Sequence, residues 1–324
     1  MTQQPTHLRV SGPTDLLAIV PYWLGYQPSD CVVVMAESEG RIQSGCALSL
    51  DQCGDVDILS DLAVLLAAGH EPAGYLLIGY GDRCGAELAL LKVASILRDQ
   101  DILQCILVDA GRYWMCSEGE RTDVEPGHLL DGPPSPAATA AVQAGLQFFG
   151  SRRDVVALVE GPDEFDDEAD FLWREACSST ASWGTARRTR LVDQCLRDSV
   201  RELRQPDALR CAQLGSVVQD ITIRDHAWLA MDLDDGWRHQ QLWLWVIAVT
   251  PASSSAPVLC LAAVASWLSG GGALFTECVN RCERLHPDYS MLGIVRELHD
   301  CAVPPSLWQE LSPSLRDQAR ATHA

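Results

Sequence analysis

A chain of 324 residues, 47% apolar and 21% charged, is long enough for a substantial core in about two domains, and its composition excludes a disordered chain. Its 44 acidic residues outnumber 24 basic ones, and a formal net charge of -20 repels phosphate backbones, which argues against nucleic-acid binding. Met1-Thr2-Gln3-Gln4-Pro5 lacks the basic and apolar regions of an export signal, and the apolar runs 242–249 and 258–268 are too short to span a bilayer. A cytoplasmic protein without membrane contact is expected.

In chain order, residues 8–10 read as a short strand and 15–24 as a helix, with Thr14 as its N-cap and Pro21 kinking or shortening it. A turn over 25–30 leads to Val32-Val33-Val34-Met35, apolar on both faces, the pattern of a doubly covered strand at 31–36. Glu39-Gly40 turns the chain and 41–50 returns antiparallel. A helix over 56–68 carries Leu59, Leu62, Ala63, Leu66 and Ala67 at three- and four-residue spacing and stops at Gly69. Strands over 75–80, 102–109 and 111–116, with a helix over 86–97, complete the unit. This alternation predicts an α/β N-terminal sandwich with a mixed sheet in residues 1–118.

Residues 119–136 carry Gly119, Pro126, Gly127, Gly132, Pro133, Pro134 and Pro136 and read as a Pro/Gly-rich linker. Residues 137–324 read as an all-α helical C-terminal domain. Its helices are expected over 137–149, from a cap at 151–154 to 159, within 171–204 around Gly184, over 208–219 behind Asp207, and over 221–231 and 238–249. The last piece, 256–305, reads as paired helices broken at Gly270-Gly271-Gly272 and closed by Pro304-Pro305.

Chemistry is sought first where α/β sheets bind ligands, at strand C-terminal ends. Gly79, Gly81, Asp82 and Gly85 form a glycine-rich strand-to-helix loop that lets a backbone approach a phosphate. The spacing is one residue too long for a dinucleotide fingerprint, and no Walker lysine-serine pair follows. Asp109 ends the next strand on the same edge. With Asp82 it offers two carboxylates to a divalent cation, though both are ordinary turn and cap residues. The acidic run Asp163, Glu164, Asp166, Asp167, Glu168 and Asp170 lacks the glycine and terminal glutamate of a calcium loop and reads as solvated charge.

In the helical half, Arg224, Asp225 and His226 suggest a carboxylate orienting an imidazole. No serine or cysteine nucleophile stands beside them, and consecutive helix residues point apart, so no catalytic residue is assigned. Cys278, Cys282 and His286 recur every four residues and share a helix face of zinc-ligand types. Chelation needs a ligand from a second helix, His299 or Cys301, and an apolar seam of Leu274, Phe275, Cys278, Val279 and Cys282 is the simpler reading. No metal is assigned and the cofactor is unknown. The odd count of 13 cysteines, mostly inside apolar runs, reads as buried thiols. Ten tryptophans, among them Trp228, Trp237, Trp243 and Trp245, suit either a large-residue core or a partner surface.

Three separated segments carry a resemblance. They are residues 15–34, from Asp15 through Pro21-Tyr22-Trp23-Leu24-Gly25-Tyr26-Gln27-Pro28-Ser29-Asp30 to Val34; Asp109-Ala110-Gly111-Arg112-Tyr113-Trp114; and Ala265-Ser266-Trp267-Leu268-Ser269-Gly270-Gly271-Gly272 with His286-Pro287-Asp288-Tyr289 and Pro304-Pro305. Together they resemble the actinobacterial domain-of-unknown-function 4192 family over essentially the whole chain. The resemblance implies no activity. Relatives carry a cysteine pair in a short loop after the second segment, whereas Met115-Cys116-Ser117-Glu118 has one, so metal binding by that loop is not expected here. The C-terminal piece is also loosely similar to a tetratricopeptide helix pair, with Pro287 closing the second helix; one copy falls short of a solenoid.

The helix-pair terminus, the tryptophan density and the lack of a convergent catalytic set point to a non-enzymatic interaction or regulatory protein. It would work through its helical half, with a protein partner or as a homo-oligomer. The alternative is an enzyme or small-ligand binding protein, for a phosphate- or nucleotide-like molecule, with its site at the strand edge.

Overall fold

A computed structural model describes residues 9–67, 72–117, 120–122, 126–130, 135–144, 146–162, 167–301, 303–310 and 312–313. The chain divides between Arg152 and Arg153 into two compact units.

The first unit is built on β1 (Cys31–Ser38), β2 (Arg41–Ser49), β3 (Gly74–Tyr80), β4 (Ile102–Asp109), β5 (Arg112–Ser117) and the two-residue strands β6 (Glu120–Arg121) and β7 (His128–Leu129). Its helices are α1 (Pro13–Leu24), α2 (Val56–Ala67), α3 (Arg83–Ile96) and α4 (Pro136–Gln143). The described strands form one sheet in the order β2-β1-β3-β4-β5-β6, with β7 also on β5. β3 and β4 run parallel and their neighbours antiparallel, so the sheet is mixed, as the alternation of elements predicts. The stretch read as a linker contributes β6 and β7, and α4 packs on α1.

The β-branched run of β1 is covered on both sheet faces, and Val32, Val33 and Val34 are all fully buried. On one face Val32, Val34, Leu77 and Leu107 pack against Leu59 and Leu62 of α2 and Ala86, Leu90 and Val93 of α3. On the other lies Trp23 of α1, whose indole stands 2.7 Å from where a Cβ on Gly45 would fall. Gly79 serves the same end: its Cβ would come within 2.8 Å of Leu90, so its absence lets α3 approach β3.

Four local expectations are corrected. Leu8 lies outside the described residues, and Arg9 and Val10 have no regular structure. The N-cap of α1 is Gly12, not Thr14, while Asp15 accepts from the Ser11 amide at 3.0 Å. Pro21 sits inside α1 without ending it; Gly25, at φ 81, closes the helix by donating to the Pro21 carbonyl. The helix expected over 137–149 ends at Gln143. Phe149 is instead extended and bridges Tyr26: the Gln27 amide donates to the Phe149 carbonyl and the Phe149 amide to the Gly25 carbonyl, both at 2.8 Å. Phe148 packs edge-on against Tyr22 at 4.8 Å.

The second unit is helical, as predicted: α5 (Arg152–Glu160), α6 (Asp167–Thr180), α7 (Thr185–Leu196), α8 (Ala208–Val217), α9 (Ile221–Leu229), α10 (Gly236–Ile247), α11 (Ala256–Leu268), α12 (Gly272–Leu285) and α13 (Ser290–Asp300). Asp207 and Asp220 cap α8 and α9, accepting from the Arg210 and Thr222 amides at 2.8 and 2.9 Å. All 13 residues of α11 are buried, with α10 and α12 packed on it. Tryptophans fill this core: Trp243 is fully buried, and Trp308 lies 5.4 Å from Trp228 and 6.2 Å from Trp267. The Trp267 and Trp308 indoles donate to the Val303 and Met231 carbonyls at 2.7 and 3.1 Å, tying the chain after α13 to the bundle. No described helix is long and apolar enough to cross a membrane.

Candidate functional site

At the C-terminal edge of β3 and β4 the glycine-rich loop has structural work for each member. Gly81, at φ 139, takes a backbone conformation suited to glycine, and a Cβ there would meet the Asp30 carboxylate at 3.1 Å. Asp82 is the N-cap of α3, its Oδ1 accepting from the Gly85 amide at 3.0 Å. The bare Gly85 makes room for that cap, since a Cβ would fall 2.6 Å from Asp82 Oδ2. The helix N-terminus that would attract a phosphate thus already faces a carboxylate of its own chain. Asp109 lies on the same edge but turns to Arg83, whose Nε is 4.0 Å from Asp109 Oδ2 and whose guanidinium covers Trp114 at 4.4 Å. The two carboxylates therefore have separate partners.

Beside this edge a cavity of about 60 Å³ is lined by Tyr26, Gln27, Ser29, Asp30, Cys31, Ser49 and Arg152. That volume suits a few waters and falls well short of the roughly 300 Å³ at which small-molecule pockets begin. Burial pushes the Cys31 thiol up to about 12, so it is protonated at neutral pH. The neighbouring Tyr80 hydroxyl is buried without a hydrogen-bond partner among the described residues, and burial raises its pKa as well.

In the helical unit Arg224 and Asp225 come together and His226 turns away. Arg224 is 6% exposed; its Nε and Nη2 donate to Asp225 Oδ1 at 3.0 and 2.7 Å, and its Nη1 donates to the Tyr289 hydroxyl at 2.9 Å. Burial alone would lower the Arg224 pKa, but the hydrogen bonds to Tyr289 and Asp225 outweigh it and hold the guanidinium charged. His226 instead meets Asp193 at 2.7 Å on a half-exposed surface, where such a pair contributes little.

The four-residue stripe on α12 also splits among partners. Cys278 is fully buried, Cys282 Sγ lies 3.8 Å from Cys260 Sγ on α11, and His286 Nε2 donates to the Ala252 carbonyl at 2.8 Å beside Ser255 Oγ at 3.2 Å. Among the described residues, no three His, Cys, Asp or Glu side chains converge in a way that holds a metal ion. Eight of the 13 cysteines are buried, consistent with thiols used as small core residues.

Sequence spacing missed Tyr289 as the partner of Arg224 and Cys260 as the partner of Cys282, because both contacts join separate elements. The available signal for Tyr289 was its place just after Pro287, where α12 has ended. A family model described as a domain of unknown function, DUF4192, matches residues 13–306. No curated protein and no solved structure matches the chain.

Proposed function

The chain belongs to the DUF4192 family, and we propose that it is a non-enzymatic interaction or regulatory protein acting through its helical half. One observation carries this reading: each polar side chain that suggested chemistry has a partner within the fold. Asp82 caps α3, Asp109 faces Arg83, Arg224 and Asp225 bind each other and Tyr289, His226 meets Asp193, and His286 meets Ala252. Among the side chains that the helical unit exposes are large apolar ones: Phe171, Ile221, Trp237 and Ile294 are 65%, 60%, 49% and 46% exposed. Trp237, under the Arg238 guanidinium at 5.2 Å, has the composition of an interface anchor.

The occupant is a protein partner or a second copy of the chain. A net charge of -20 favours a basic protein surface over nucleic acid. In this reading the helical half, with a tetratricopeptide-like helix pair at α11 and α12, is the docking module, and the protein is actinobacterial and cytoplasmic. A second reading, an enzyme or phosphate- or nucleotide-like ligand site at Gly79, Gly81, Asp82, Gly85 and Asp109, draws support from Arg152 in the adjoining cavity.

Native mass spectrometry of the chain purified without denaturation from an actinobacterial host tests the proposal. A homo-oligomer or copurifying protein, released by Trp237→Ala or Phe171→Ala, is expected. A retained nucleotide or metabolite on a monomer would transfer the assignment to the strand edge, and a bare monomer would overturn the interaction reading.

A further inference from the structure

Two thiols on neighbouring helices meet inside the helical unit. Cys260 lies in the wholly buried α11 and Cys282 near the end of α12; each is 1% exposed, and their sulfurs are 3.8 Å apart. The two helices pack along their length, so both cysteines are held on opposing backbones. A disulfide needs an S–S distance of about 2.0 Å, and thiols already in van der Waals contact reach it by small side-chain rotations. Cys278, one turn earlier on α12, is buried and close enough to act electrostatically on Cys260, but the thiol–thiol contact is between Cys260 and Cys282.

We propose that Cys260 and Cys282 form a reversible dithiol–disulfide site whose oxidant is a peroxide. The contact polarises the pair: hydrogen bonding with Cys260 lowers the Cys282 pKa, and the same contact, with burial, raises that of Cys260. Cys282 is therefore the attacking sulfur. Its thiolate attacks one peroxide oxygen; the S–O bond forms, the O–O bond breaks, and the departing hydroxide is protonated to water. Cys260 then attacks Cys282 Sγ; the S–S bond forms, the S–O bond breaks, and the second hydroxide leaves as water with the proton of Cys260. Two thiols lose two electrons and two protons in total, and hydrogen peroxide is reduced to two waters. A dithiol reductant reverses the change by exchange. Burial makes the reaction slow until α11 and α12 open locally, as fits a site that responds to sustained oxidation.

The test uses the full folded chain, treated with hydrogen peroxide under native conditions and then alkylated. Intact mass spectrometry and a non-reducing digest are expected to show loss of two hydrogens, mapped to a peptide linking Cys260 with Cys282 and restored by dithiothreitol. The oxidised chain should unfold at higher urea than the reduced chain. Cys260→Ser is expected to abolish the link and leave Cys282 as a sulfenic acid trapped by dimedone, while Cys278→Ser leaves the link intact. The proposal is overturned by both thiols remaining alkylatable, by a link between other cysteines, or by a link that forms only in urea. The wild-type map decides this even if the serine variant fails to fold.

Discussion

His239 on α10 is 3% exposed, and its Nδ1 is buried without a hydrogen-bond partner among the described residues. Burial depresses its pKa from 6.5 to about 4, against the opposing pull of Asp235 and Asp232. The unfolded chain therefore takes up a proton at this site before the folded chain does. Stability from the neutral imidazole is fully present above pH 6.5, falls as pH drops towards 4, and changes no further once both states are protonated. The whole interval corresponds to about 3 kcal/mol, of which about 2 kcal/mol is lost between pH 7 and pH 5. Replacing His239 by glutamine removes the titration while leaving every carboxylate in place. Urea unfolding followed by tryptophan fluorescence, for both proteins at pH 7 and pH 5, isolates the effect. The histidine protein should lose about 2 kcal/mol more than the variant over that interval. Equal losses in the two proteins would show that His239 does not titrate as its burial requires, whatever the variant's absolute stability.

Gly127→Ala places a Cβ 2.4 Å from the Trp114 indole at φ 74, so the thermal midpoint should fall, with a loss of about 2–3 kcal/mol, and Trp114 emission should shift to the red. Tyr289→Phe leaves the buried Arg224 without one acceptor and should destabilise the helical unit by about 1.5–3 kcal/mol in calorimetry; an unchanged midpoint would mean that water replaces the hydroxyl. Asp82→Ala removes the cap of α3 and should lower stability by about 1 kcal/mol in urea. Because Asp82 faces the helix donors itself, any gain of phosphate binding in that variant, measured by titration calorimetry, would show that the cap had been excluding an anion.

The sheet was legible because its signals are local. The Val32-Val33-Val34 run needs only its own composition to declare a doubly covered strand, and β3 and β4 share that character. The helices after Asp207 and Asp220 were marked by their capping carboxylates and apolar spacing. The errors fall where distant partners decide. The alanine-rich pattern after Pro136 favours helix, yet Phe149 is drawn into extended pairing with Tyr26. Arg224 finds Tyr289 across 65 positions, a distance no periodicity reports. Cys282 aligns with Cys278 and His286 by spacing, but its contact lies across the helix interface with Cys260. Candidate ligands were thus identified by residue type, whereas their real partners depend on packing between elements.

The pairing of Tyr26 with Phe149 has a topological consequence. Paired hydrogen bonds join the backbone just after α1 to the backbone that leaves the first unit, so the segment between them begins and ends at one place. Such a segment is a loop closed by its own backbone hydrogen bonds, so its two ends can be joined by a short linker, with new termini at an exposed turn such as Glu39-Gly40, provided that α1, which covers one sheet face, is kept in place.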